Sequence, residues 1–280
     1  MAIVNGYLTL AEYKRGAAIN DSTDSDATDD IVIEDLIEEA SRLFDELTGR
    51  TYYPRVETRY HDTPAEGREL WLDDDLLDLT ILTNGDDTSI ADSDYHLVPK
   101  NDSPHYIIRL NQSSNEIWDL DSAGNSENVI DVLGVWGYHT NYTQRAWSTG
   151  STVSDDSDVG AADTTIKSAS GTLFDPGQII RIDDEIIRVT AVSTATLTVV
   201  RGENGSTAAA HDDGSTIYIW NVHKPAKTAV RAMVINEYKR RFGDNTSSSA
   251  TITGAGVVLT PDSIPRVAAD IIRSLRRAVQ

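Results

Sequence analysis

Apolar residues recur at helical spacing in three long stretches of this chain, and strand-like runs fill the sequence between them. From Thr28 to Leu47, the residues Ile33, Leu36, Ile37, Ala40, Leu43, Phe44 and Leu47 fall on one face, which predicts an amphipathic helix. Asp29 and Asp30 suit its first turn, where the helix dipole favours negative charge, and Gly49 is the expected stop. The matching face comes much later, at Pro225–Phe242. Here Ala226, Ala229, Val230, Met233, Val234 and Tyr238 line up, Pro225 opens the helix and Lys239, Arg240 and Arg241 close it. A further helix is predicted after Ser263, with Ile264, Val267, Ile271, Ile272 and Leu275 apolar and Arg266, Arg273, Arg276 and Arg277 basic. A short first helix follows from the capping box Thr9-Leu10-Ala11-Glu12, with Leu8 and Tyr13 as a hydrophobic staple and Gly16 as the end. Residues 20–30, polar and acidic, read as a loop.

The period changes after Val56. Glu57–Tyr60, Leu76–Leu82, Tyr95–Val98, Tyr106–Leu110 and Val129–Tyr138 read as strands of a small antiparallel sheet or barrel, separated by Asn-Gly, Ser-Pro and Gly-Asn turns. Residues 148–158 are rich in Ser, Thr, Asp and Gly and read as a linker. Gln178–Ile182, Glu185–Val192, Thr196–Arg201 and Thr216–Trp220 then predict a second, autonomous β unit with tight turns. The expectation is an α+β chain. Residues 1–55 and 222–280 form a small helical core, 56–147 a large antiparallel β insertion, 148–159 a linker and 160–221 a small β module. The stretch 244–256 is expected to hinge the last helix.

Composition narrows the function. The formal net charge is −21, and it is uneven: residues 221–280 carry 10 Lys/Arg against 4 Asp/Glu, leaving 14 against 41 in residues 1–220. Such acidity opposes sequence-specific nucleic-acid binding, while the basic end suits docking to an acidic partner. There is no Cys, so disulfides and thiolate chemistry are excluded. No basic stretch followed by an apolar run opens the chain and no apolar run approaches a membrane span, so a cytoplasmic protein without a membrane partner is expected.

The chemistry-bearing residues make no enzyme-like constellation. Asp24-Ser25-Asp26-Ala27-Thr28-Asp29 has the oxygen spacing that opens a calcium loop but lacks the glycine that turns one, and a solvated helix entry is favoured. Asp73-Asp74-Asp75 reads as a turn between strands, since consecutive aspartates point in different directions and pair poorly as acid and base. The six histidines lack metal-ligand spacing, and His211-Asp212-Asp213, without a nucleophile elbow, reads as a turn. Trp136 sits in an apolar strand and is expected in a core, although Trp136, Tyr138, Tyr142 and Trp147 also have the chemistry to stack on sugars or bases. No catalytic residue, metal site or cofactor is expected. The alternative function is a carbohydrate- or receptor-binding module of a virion or cell surface.

Three segments carry a family resemblance. Asp29-Asp30-Ile31, Leu36-Ile37-Glu38-Glu39-Ala40 and Leu47-Thr48-Gly49-Arg50, the strand Gly134-Val135-Trp136-Gly137-Tyr138 followed by a Pro-initiated helix, and the ending Ile264-Pro265-Arg266-Val267 with Leu275-Arg276-Arg277 resemble tailed-phage head–tail connector (adaptor) proteins. The pattern Phe174-Asp175-Pro176-Gly177, Ile182-Asp183-Asp184-Glu185, Arg201-Gly202 and His211 resembles a β module inserted in phage virion proteins. The resemblance implies a dodecameric ring at the head–tail junction of a virion assembled in the host cytoplasm. Its partners would be the portal protein, a tail-side neck or tail protein and copies of itself, with DNA passing through the channel. It assigns portal docking to Ile264, Arg266, Val267, Ile271, Arg273, Leu275, Arg276 and Arg277.

Overall fold

The computed structural model describes residues 3–16, 27–155, 158–242, 251–252, 258–259 and 264–277. They form a mixed α/β structure with two large antiparallel sheets, a two-stranded pair and four α-helices. The helices are α1 (Leu10–Gly16), α2 (Ala27–Thr48), α3 (Lys224–Phe242) and α4 (Arg266–Leu275). The expected capping box is present: the Thr9 Oγ1 accepts the Glu12 N–H at 3.1 Å, and the Glu12 carboxylate accepts the Thr9 N–H at 3.2 Å. One apolar cluster unites the two ends of the chain. It takes Tyr13 from α1, Ile33, Leu36, Ile37 and Phe44 from α2, Ala229, Val230 and Val234 from α3, and Ala268 from α4.

The face of α2 differs from the sequence pattern at two points. Leu43 turns to solvent, while Ser41 and Thr48 are buried. Their hydroxyls donate back to the carbonyls of Ile37 at 2.6 Å and Phe44 at 2.8 Å, so burial leaves neither unsatisfied. The Ser41 Oγ also accepts the Tyr7 N–H at 3.0 Å, which fixes the N-terminal segment on the helix.

The first sheet holds β1 (Arg55–His61), β2 (Glu69–Thr83), β3 (Tyr95–Val98), β4 (His105–Leu110) and β5 (Ile130–Trp136) in the order β1-β5-β2-β4-β3. Trp136 is fully buried in its core, and its indole N–H donates to the Glu57 carbonyl at 3.0 Å. Asp73, Asp74 and Asp75 do not form a turn. They continue β2, where the register against β4 shifts between Trp71 and Leu76. That irregularity breaks the two-residue alternation. Leu76 enters the sheet core, and Leu77 joins a second cluster between the sheets.

The second sheet holds β6 (Trp147–Thr152), β7 (Thr165–Lys167), β8 (Ile179–Ile182), β9 (Glu185–Ser193), β10 (Thr196–Val200) and β11 (Thr216–Trp220), ordered β6-β11-β8-β9-β10-β7. The stretch expected as a linker therefore opens with a strand, which pairs with β11 from Trp147↔Trp220 to Thr152↔Thr216. Its polar composition suits its edge position, where an apolar strand would invite pairing with another chain. The two sheets meet through Leu77, Tyr142, Ala146, Ile179, Ile186 and Trp220. The Trp220 indole N–H donates to the Tyr52 carbonyl at 3.1 Å. Gly205, at φ +84, comes so near β1 that an added Cβ would lie 2.2 Å from the Val56 carbonyl oxygen.

The calcium-like stretch at Asp24–Asp26 and most of the expected hinge at 244–256 lie outside the described residues. Thr251–Ile252 (β12), inside that range, pairs antiparallel with Val258–Leu259 (β13), just beyond it. Among the described residues, no helix is long and apolar enough to cross a membrane.

Candidate docking site at the fourth helix

Helix α4 lies against α3 and α2, with a small residue at the contact. Ala268 is fully buried, while Ile264, Ile271, Ile272 and Leu275 are half-buried against the shared cluster. The expected anchors Ile264, Ile271 and Leu275 are thus already engaged within the chain. Val267 is different: it is 57% exposed. Arg266, Arg273 and Arg276 are exposed beside it, with Arg273 held by Asp270 at 3.1 Å. The sequence reading missed Ala268, whose spacing to Ile271, Ile272 and Leu275 is the helical signal that marks the inward stripe.

The exit of α4 is fastened to α2 and to the first sheet. The Arg277 N–H donates to the Thr48 carbonyl at 2.8 Å, covering an otherwise open carbonyl at the end of α2. Arg50, just past Gly49, donates from Nε to the Leu275 carbonyl at 2.8 Å and from Nη1 to both Asp75 oxygens at 2.5 and 2.6 Å. Its guanidinium also lies 4.5 Å from the centre of the Tyr138 ring. Asp74 receives Arg55 at 2.7 Å, Arg59 at 2.8 Å and Arg277 at 3.1 Å, and Asp73 receives Arg59 at 3.0 Å. This clamp explains why β2 tolerates three aspartates: four arginines gathered from separate segments neutralise them. Burial pushes the Asp75 carboxyl above its ordinary range against the pull of Arg50. A cleft of about 770 Å³ opens beside the clamp, with Arg276, Trp71, Leu47 and Tyr106 among its walls.

A second charged cluster lies inside the second sheet. Glu185 is fully buried and accepts Arg201 Nε and Nη2 at 2.8 and 2.7 Å, the N–H groups of Gly202 and Ala209 at 2.9 and 3.0 Å, and the His211 Nε2 at 2.8 Å. Burial alone would push its pKa up, but Arg201 and the two backbone donors bring it down to about 2. The His211 Nδ1 meets Asp183 at 2.8 Å. His211 itself bridges to Val159 rather than sitting in a turn. With both ring nitrogens and all the Glu185 oxygens engaged, this cluster ties the loops of the sheet together and offers no free base. Among the described residues, no His, Asp or Glu group is arranged to hold a metal ion.

Compared with protein-family models and with curated proteins, the chain matches none of either.

Proposed function

We propose that this protein is a structural head–tail connector of a tailed phage. It would form a ring, dodecameric by the resemblance, that binds beneath the portal and joins head to tail while DNA passes through its channel. The observation that carries the proposal is the arrangement of α4: a helix from the far end of the chain packs on α2 and α3 through Ala268 and presents Arg266, Val267 and Arg273 outward. A small helical core built from both chain ends, carrying β insertions between them, is the architecture that the resemblance calls for. The acidic balance of residues 1–220 is compatible with a channel that does not grip phosphates.

Portal docking is best assigned to the outward strip of α4, because Ile264, Ile271 and Leu275 are already committed to the chain's own core. Rim arginines act mainly on encounter and salt sensitivity, with Val267 as the apolar contact. The test is negative-stain imaging of the purified protein, alone and with portal-bearing heads. Rings with a central opening that bind heads are expected, and the R266E/R273E variant should form rings yet bind heads poorly. A protein that remains monomeric and ignores heads at every concentration overturns the proposal.

A further inference from the structure

The cleft at the start of α3 gathers cations and imidazoles that neither the sheets nor the docking strip uses. It encloses about 1050 Å³, its walls include His139, Arg145, Trp147, His223, Lys224 and Lys227, and no acidic residue among the described residues lines it. That is unexpected in a chain with a net charge of −21. Lys227 is neutralised by Glu12 at 2.6 Å. Arg145 and Lys224 are exposed, and neither has an ion-pair partner among the described residues. His139 is only 6% exposed although it lines the cleft. Its Nδ1 accepts the Asn141 N–H at 3.0 Å, so the neutral ring carries its proton on Nε2. That Nε2–H has no partner among the described residues, which leaves a pre-set donor at the cleft wall.

We propose that this cleft is a binding site for a dianionic oxyanion of the phosphate-monoester class. Charge decides the class. Two unpaired cations, Arg145 and Lys224, balance a dianion, whereas a single carboxylate would leave one of them unanswered. A nucleic-acid phosphodiester offers one charge per phosphate and brings a polyanion up to an acidic protein. The first turn of α3 adds its dipole to the same side.

His223, beside His139, makes the site responsive to pH. Their rings lie 5.8 Å apart. Burial, and then Arg145, hold His139 below its ordinary range; burial, and then His139, bring His223 down to about 4. The groups around them are Tyr138 and Trp220, whose rings lie 5.3 and 5.8 Å from His223 and His139, Thr140 at 3.5 Å from His223, Arg145 from the 142–146 turn, and Lys224 and Lys227 from α3. None of these is a carboxylate, and Glu12 is taken by Lys227. An arriving dianion is therefore the missing counter-charge that lets His223 take a proton, and its binding strengthens as pH falls; His139 stays a neutral Nε2–H donor, because its Nδ1 is held by the Asn141 N–H.

Calorimetric titration of the full chain tests this with sulfate, which stays a dianion throughout, and with inorganic phosphate, acetate and a short DNA duplex. Sulfate and phosphate should bind about tenfold more tightly than acetate, and the duplex should not compete. Sulfate affinity should rise several-fold between about pH 8 and about pH 5 as bound sulfate draws a proton onto His223. The exposed-site substitutions Arg145→Gln and Lys224→Gln together should weaken sulfate about tenfold or more. In the wild-type chain, the His139 and His223 ring resonances should move during the titration. Equal binding of acetate and sulfate, a flat pH profile, unmoved histidine resonances or an unaffected double variant would each overturn the proposal.

Discussion

Both sheets bury carboxylates against arginines, but they draw the arginines from different places. In the second sheet, Glu185 is satisfied by Arg201 and His211 from neighbouring strands and loops of the same sheet. In the first, Asp74 and Asp75 are satisfied by Arg50 at the exit of α2 and Arg277 at the exit of α4, with Arg55 and Arg59 adding from β1. One charge cluster is therefore internal to its sheet, while the other joins its sheet to both ends of the chain. The contrast separates a charge cluster contained within its sheet from one that reaches into the helices.

Substitution Glu185→Ala should break the contrast most severely. It leaves Arg201, with a side chain only 6% exposed, without its counter-charge, a loss of about 5 kcal/mol. Hydrogen exchange should rise across β8 to β11 while β1 and β5 stay protected; a uniform rise would show that the sheets are not separable. The wild-type cluster has a pH signature of the same sign. Because the folded pKa of Glu185 lies near 2, below its ordinary value of 4.5, its contribution is complete above the latter and is lost as pH falls toward the former.

Arg50→Ala should cost somewhat less, about 3 kcal/mol, since the Arg50 side chain retains partial solvent contact. Its distribution matters more than its size. Exchange should rise together in β2 and in 264–277, because Arg50 holds Asp75 and the Leu275 carbonyl at once. A change confined to β2 would mean that α4 is held by apolar packing alone.

The smallest effect is a gain in the helical region. Burial pushes Asp45 up to about 7, against the pull of Arg42 and of the Tyr7 hydroxyl that donates to it. A carboxyl raised above its ordinary 3.8 gives its full contribution at low pH and loses it as pH rises through about 7. Asp45→Asn keeps an acceptor for Tyr7 and removes the ionisation, so chemical denaturation should find the variant more stable than wild type above neutrality and little changed near pH 4. A variant less stable at both ends would show that the Arg42 contact outweighs the burial cost.

Where local pattern and tertiary setting agreed, the elements were legible from residues alone. Apolar spacing placed α2 within a residue of its observed bounds at each end, and turn chemistry isolated β3 and β11 at their observed limits. The capping box around Thr9 was readable because both of its hydrogen bonds are local. The failures share the opposite property. Three aspartates in a strand contradict β propensity until arginines from four separate positions are brought alongside them. Residues 148–152 look like part of a linker until β11 supplies the partner for an edge strand.

The two charged sites divide in the same way. Glu185, Arg201 and His211 stood in the sequence as parts of one recurring pattern, but their convergence on a single carboxylate depends on the strand order of the second sheet. The inward stripe of α4 was visible as amphipathicity, yet periodicity cannot say whether a stripe meets a partner or the chain's own core. By itself the sequence determined the four helices and most of the strands, where several of them stop, and that the chain is acidic with a basic end. Only the tertiary structure decided which charges neutralise one another and which apolar faces remain open, because those depend on contacts between residues far apart in the chain.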